Sequence, residues 1–233
     1  MQINRQSLKN RITHWGIALS IFGLIITGIF EMPIAKRYNI TKLIDWSGDY
    51  FFNLSLHYIF GFALIFFAFF HVVSHFFAGE FDAFPKRGDV KNSYLLIKAM
   101  ILGKKEPPSE KYLPEQRLAY LAIAFVIAVL IVSGLIKTYK NLIGFDISNS
   151  LYYWAATLHN VGMVAIILLI IAHLLAFIPK ENRNLLSAMF SGKIDAKYTL
   201  HRHSLWKKGC DEAREILSKE KSDKDLDMRE DKN

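Results

Sequence analysis

Two apolar stretches each carry a pair of histidines in the pattern H-x13-H. His57 and His71 lie in "LSLHYIFGFALIFFAFFHVVSHFFA", Leu54 to Ala78; His159 and His173 lie in "ATLHNVGMVAIILLIIAHLLAFIP", Ala156 to Pro179. An ionisable group in a hydrocarbon environment is costly and marks function by default. Fourteen helical steps return a side chain to within about 40° of its starting direction and advance it by about 21 Å. Both members of a pair then share one helix face, near opposite ends of a hydrocarbon core about 30 Å thick. A small cation needs ligands a few ångströms apart. The separation instead suits two large cofactors, one near each surface. The other histidines are His14 at the start of an earlier apolar run, His75 one turn beyond His71, and His201 and His203 near the C-terminus.

Elements of spanning length must position these residues. The chain has 233 residues, 52% of them hydrophobic, and the apolar ones gather in four runs. Helices are expected over 12–30, 54–78, 117–139 and 151–178, each long enough to cross a bilayer. Pro179 ends the last, because proline cannot continue the hydrogen-bond ladder. Gly16, Gly23 and Gly28 in the first helix, Gly61 after His57 and Gly162 after His159 would let backbone approach a flat ring. Close helix packing uses small residues in the same way. The fold class is all-α: an integral membrane four-helix bundle over residues 1–178, with a cytoplasmic amphipathic segment. Residues 179–233 form a cytoplasmic basic segment and a charged C-terminal tail. The end of that tail, "SKEKSDKDLDMREDKN", has too little apolar surface to order itself. "SYLLIKAMILGKK", Ser93 to Lys105, is too short to span and suits a helix at the membrane interface or one packed on the bundle.

No signal-peptide pattern is present. The one cysteine, Cys210, can form no internal disulfide, and no Cys-x-x-Cys-His attachment motif occurs. A haem here would be held without a thioether bond. The net charge of +8 flanks the apolar runs, which is the signature of membrane topology and not of nucleic-acid binding. Arg5, Lys9 and Arg11 precede the first run. Lys86, Arg87, Lys91, Lys98, Lys104, Lys105 and Lys111 lie between the second and third. The other connections hold fewer: Lys36, Arg37 and Lys42 in one, Lys137 and Lys140 in the other. Both termini and the 79–116 connection are therefore expected in the cytoplasm.

That orientation sets levels. His57 and His159 both start helices from the outer side and pair there. On the inner side His173 has two possible partners by spacing, His14 and His71. Each pair bridges two helices, as a bis-imidazole iron site in a bundle requires. The second nitrogen of each ligand is expected to donate to a carbonyl or to a hydroxyl such as Ser55 or Thr157. His75 suits an interfacial role, bonded to water or backbone.

With these residues the chain resembles the gamma subunit of membrane-bound formate dehydrogenase, a four-helix di-haem cytochrome b. It is similar also to the b-type cytochromes of nickel–iron hydrogenases and of thiosulfate or polysulfide reductases. The resemblance spans about residues 8 to 208. It rests on "THW" (Thr13 to Trp15), "LHYIFG" (Leu56 to Gly61), "KYLPEQRLAY" (Lys111 to Tyr120), "LHNVGMV" with "AHLLAF" (Leu158 to Phe177) and "SGKIDAKYTLHRHSLWKK" (Ser191 to Lys208).

The resemblance implies haem b ligands at His14, His57, His159 and His173, with His57/His159 on the outer haem and His14/His173 on the inner. It implies no ligand role for His71. It implies electrons from an iron–sulfur subunit fed by a molybdenum or tungsten catalytic subunit, delivered to menaquinone at the cytoplasmic side of a bacterial inner membrane. The quinone pocket it implies includes His173, Tyr112 and Gln116. Where the family usually has Asn, this chain has Leu113, so Tyr112, Gln116, Glu115 or a water would have to replace that amide. The competing class is a non-redox membrane protein, either a metal transporter or an anchor. A transporter needs carboxylates along its spans, and these runs have essentially none. His201, His203 and Trp206 are expected at a partner, at lipid or in a plain basic segment.

Overall fold

In hydrocarbon every backbone N–H needs a partner within its own segment, so long apolar runs become helices. The computed structural model describes residues 1–40, 49–104, 106–143 and 146–230. Its elements are β1 (Gln2–Asn4), α1 (Leu8–Glu31), α2 (Pro33–Arg37), α3 (Tyr50–Ala78), α4 (Asp89–Ile101), α5 (Pro114–Ile143), α6 (Asn149–Leu175), α7 (Lys180–Phe190), β2 (Lys193–Asp195), α8 (Ala196–Arg202) and α9 (Lys207–Glu230). Helices α1, α3, α5 and α6 are long and apolar enough to cross a membrane, so the all-α membrane class holds. Lys42 and Lys105, counted above for topology, lie outside the described residues.

The helix bounds follow local chemistry. At the start of α3 the Asp49 side chain accepts from Phe52 N at 3.0 Å, an N-cap. Gly79 ends it with φ +62°, a left-handed conformation that glycine adopts without strain. Helix α6 stops at Leu175, three residues short of the expected 178. The N–H groups of Phe177 and Ile178 turn back to Leu174 and Leu175. Pro179 excludes the helical conformation at the residue before it. Asn182 Nδ2 then caps the Ala176 carbonyl at 2.6 Å.

The chain forms two compact units. One comprises Ile12–Glu80 and Ala122–Ala172. Its core takes one buried side chain from each spanning helix: Ile21 of α1, Leu64 of α3, Ile127 of α5 and Ile166 of α6. Gly16 and Gly23 of α1 receive the rings of Phe67 and Phe60, 2.6 Å from where a Cβ would stand. These two glycines therefore seat aromatic side chains from α3. Phe62, Phe66 and Phe69 point outward and are exposed, as an apolar helix facing lipid requires.

The other unit comprises Met1–Arg11, Phe81–Leu121 and His173–Asn233. Strands β1 and β2 pair antiparallel, Ile3 opposite Ile194. Gly192, at φ +82°, makes the tight turn into β2; a Cβ there would lie 2.7 Å from the Gln6 carbonyl. Ile3, Ala188, Ile194, Ala196 and Ala213 form one core, with Trp206 packed against it. Leu96, Leu113 and Leu185 form a second. Helix α4 overlaps the expected amphipathic segment. It buries Leu96 and exposes Val90, Tyr94 and Ile101.

Three sequence expectations change in this unit. Of the stretch 218–233, expected to lack order, residues 218–230 continue helix α9, and 231–233 lie outside the described residues. The first turns of α9 bury Cys210 and Ala213, and Glu215–Lys219 and Glu220–Lys224 then pair at i,i+4, each at 2.7 Å. Composition alone misses both the anchor and the pairing. His203, expected at a surface, is fully buried. Trp206 likewise packs into the core, with Lys111 Nζ 5.9 Å from its ring centre.

Candidate functional site

His57 comes from α3 and His159 from α6. Their rings lie 6.2 Å apart, centre to centre, at 66°. The expected outer pair is thus brought together. Each ring meets a hydroxyl from another helix. Thr27 Oγ1 of α1 is 2.9 Å from His57 Nδ1, and Ser133 Oγ of α5 is 3.0 Å from His159 Nδ1. Each hydroxyl also donates to the carbonyl four residues back: Thr27 to Gly23 at 2.8 Å, Ser133 to Val129 at 2.6 Å. Thr27 and Ser133 are both buried.

The next residue in each case is glycine. A Cβ at Gly28 would stand 3.4 Å from His57 Cε1, and one at Gly134 would stand 3.2 Å from His159 Cε1. Each imidazole therefore rests over bare backbone of a neighbouring helix. Ser55, named above as a possible partner, instead donates to the Phe51 carbonyl at 2.8 Å. The hydroxyl partners are Thr27 and Ser133, and His159 also bonds the Leu130 carbonyl. A signal for them exists in the sequence: "TGIFE" at 27–31 and "SGLIK" at 133–137 share a hydroxyl, a glycine and a charged residue at one spacing.

The other expected ligands fall in different units. His14, in the unit with the paired rings, follows buried Thr13 and meets Trp15 edge-on at 5.7 Å. His173, in the other unit, meets Phe177 edge-on at 5.7 Å. His71 packs beside His75 with ring centres 4.3 Å apart. His75 Nδ1 donates to the Glu80 carbonyl at 3.1 Å, in line with an imidazole bonded to backbone.

Around the expected quinone residues the contacts are internal. Tyr112 Oη accepts from Gln6 Nε2 at 3.0 Å, and the Arg5 guanidinium sits 5.5 Å from the Tyr112 ring centre. Gln116 Oε1 accepts from Leu113 N at 3.1 Å, capping the start of α5. Leu113 is fully buried against Leu96 and Leu185. The leucine that stands where the resemblance has an amide thus serves this unit's core.

A family model described as prokaryotic cytochrome b561 matches residues 5–192. The chain belongs to the prokaryotic cytochrome b561 family. No curated protein matches it significantly. Cytochromes b561 are membrane-bound b-type cytochromes that carry electrons and hold haem b, typically through histidines. The paired rings fit that group. Two imidazoles bonded to one ion from opposite sides, through bonds of about 2 Å, have centres about 6 Å apart, and these lie at 6.2 Å. Among the described residues no group of three or more His, Cys, Asp or Glu could hold a metal ion. A haem needs only two protein ligands, because the porphyrin supplies the rest.

Proposed function

We propose that this cytochrome b561 is the electron-carrying, quinone-reducing subunit of a respiratory formate dehydrogenase. The observation that carries the redox part is the His57–His159 pair, 6.2 Å apart between apolar helices. These two histidines would hold an outer haem b, and His14 with His173 an inner one. Bound haem supplies one-electron transfer, and the protein sets its position and potential. With two histidines as its ligands a haem would keep no site open for oxygen, which favours electron transfer.

The partners would be an iron–sulfur subunit and, through it, a molybdenum or tungsten subunit that oxidises formate. Menaquinone would be the acceptor, near His173, Tyr112 and Gln116. The Gln6–Tyr112 hydrogen bond offers a polar group there, since Leu113 cannot. Support for formate as the donor lies in "KYLPEQRLAY" and "SGKIDAKYTLHRHSLWKK". A nickel–iron hydrogenase or sulfur-compound reductase would use the same haem centre.

Protein purified from a bacterial membrane in mild detergent should be red, with bis-histidine b-type bands and about two haems per chain. His159→Ala should lose one haem and keep the other, and the large subunit that co-purifies should be a formate dehydrogenase. Colourless, folded protein would sink the redox reading. Loss of the inner haem alone in His159→Ala, with the fold intact, would refute the pairing.

A further inference from the structure

We propose that Thr27 and Ser133 are the positioning residues of the outer centre: their hydroxyls accept the Nδ1–H of His57 and His159 and so hold each Nε2 unprotonated, ready to bind iron. This rests on the haem reading above and extends it to residues outside the ligand set. The hydroxyl proton decides the direction of each bond. Thr27 spends it on the Gly23 carbonyl at 2.8 Å, Ser133 on the Val129 carbonyl at 2.6 Å. Each oxygen is left with lone pairs only, so the ring nitrogen at 2.9 Å or 3.0 Å is the donor. A neutral imidazole with its proton on Nδ1 has its free lone pair on Nε2.

The arrangement repeats. Two helices that carry no outer ligand, α1 and α5, each present a hydroxyl followed by glycine. The hydroxyl fixes the tautomer. At Gly134 the glycine removes a Cβ that would crowd His159 Cε1 at 3.2 Å, while at Gly28 a Cβ would meet His57 Cε1 in ordinary contact at 3.4 Å. Thr27 and Ser133 are buried, and their hydroxyls are tied to their own helix backbones, so they cannot swing away. Both ligands receive hydroxyl support of the same kind, and His159 also bonds the Leu130 carbonyl. A donated Nδ1–H bond raises the basicity of the ligating nitrogen. Stronger donors stabilise ferric iron and lower the potential.

The test uses the full haem-loaded protein with Thr27→Val, Ser133→Ala, the double variant, and the conservative Thr27→Ser and Ser133→Thr. The midpoint potential of each haem is measured together with haem transfer to excess apomyoglobin. Thr27→Val and Ser133→Ala should keep two low-spin haems. The outer potential should shift upward, further in the double variant, and outer haem should be held roughly 10–100-fold less tightly. The inner haem should not move, and the conservative variants should restore both readings. Folded single and double variants with unchanged outer potential and haem retention would overturn the proposal. So would equal shifts in both haems, or no rescue by the conservative variants. Wild-type protein without haem would instead overturn the function proposed above, and this inference with it.

Discussion

His203 is a polar group that the fold has enclosed completely. Its Nε2 accepts from Arg5 Nη1 at 3.0 Å, and its Nδ1 donates to the Glu110 carbonyl at 2.7 Å. Both ring nitrogens are satisfied in the neutral form, so a second proton has nowhere to go. Burial first, then the Arg5 charge, pushes its pKa down to about 3. Arg202 adds a second cation, and the Tyr198 ring lies edge-on at 5.6 Å. The unfolded chain takes up a proton near the ordinary histidine value while the folded one does not. Stability is therefore full above about pH 6.5 and falls as the pH drops from there toward about 3. Acidification from pH 7 to pH 5 should cost up to about 2 kcal/mol through this group. Thermal unfolding at the two pH values should show a steeper loss in the wild type than in His203→Gln, whose side chain does not titrate. Equal slopes would refute the assignment.

At the scale of elements, α4 is fastened to α5 by one ion pair. Arg117 reaches Asp89 with two parallel bonds, Nε to Oδ2 at 2.8 Å and Nη2 to Oδ1 at 2.6 Å. Asp89 also accepts Lys86 N at 2.7 Å, and Arg117 Nη1 reaches Glu110 at 3.1 Å. Both partners of the main pair are buried. The hydrogen bonds from Arg117 hold the Asp89 carboxyl below the usual carboxylate range despite its burial. Because that value is depressed, the contribution is intact above about pH 4 and is lost only in stronger acid. A buried pair is dangerous to break from one side, since the surviving charge stays in a dry place. Asp89→Asn should therefore destabilise by about 3–5 kcal/mol, read as a lower denaturation midpoint. Adding Arg117→Met should recover part of the loss. A change below about 1 kcal/mol in the single variant would mean that Arg117 finds water. Arg202 is arranged differently. Its Nη1 donates to the Glu181 carbonyl and to Asn182 Oδ1, at 2.6 Å and 2.7 Å. Its Nε lies 2.8 Å from Glu106 Oε2, but off-line, so that contact is an ion pair and not a hydrogen bond.

For the whole molecule the question is orientation. Lys and Arg residues gather before the first span, between the second and third, and after the fourth. Cytoplasmic loops carry that excess, so both termini should be cytoplasmic. A reporter that fluoresces only in the cytoplasm, fused after Asn233, should be active, and one inserted between α5 and α6, within 144–148, should be dark. The reverse pattern would exchange the outer and inner sides. It would also place quinone reduction away from the cytoplasm.

The spans are legible in the amino-acid order alone, because runs of that length and apolar content satisfy their backbone in hydrocarbon as helices. The same order also determined that His57 and His159 lie at one level, since charge sets direction and helical rise sets depth. Tertiary structure decided what those histidines touch. Thr27 and Ser133 stand 30 and 26 residues away in the chain, and no helical periodicity relates residues on different helices. Only their shared "TGxxE" and "SGxxK" spacing hinted at a common task. Tertiary structure likewise decided the fate of the charged end. There β1 and β2 pair, Ile3 meets Ile194, and the first turns of α9 bury Cys210 and Ala213. Composition measures what a segment can bury alone. It cannot register what a distant segment offers it to bury against.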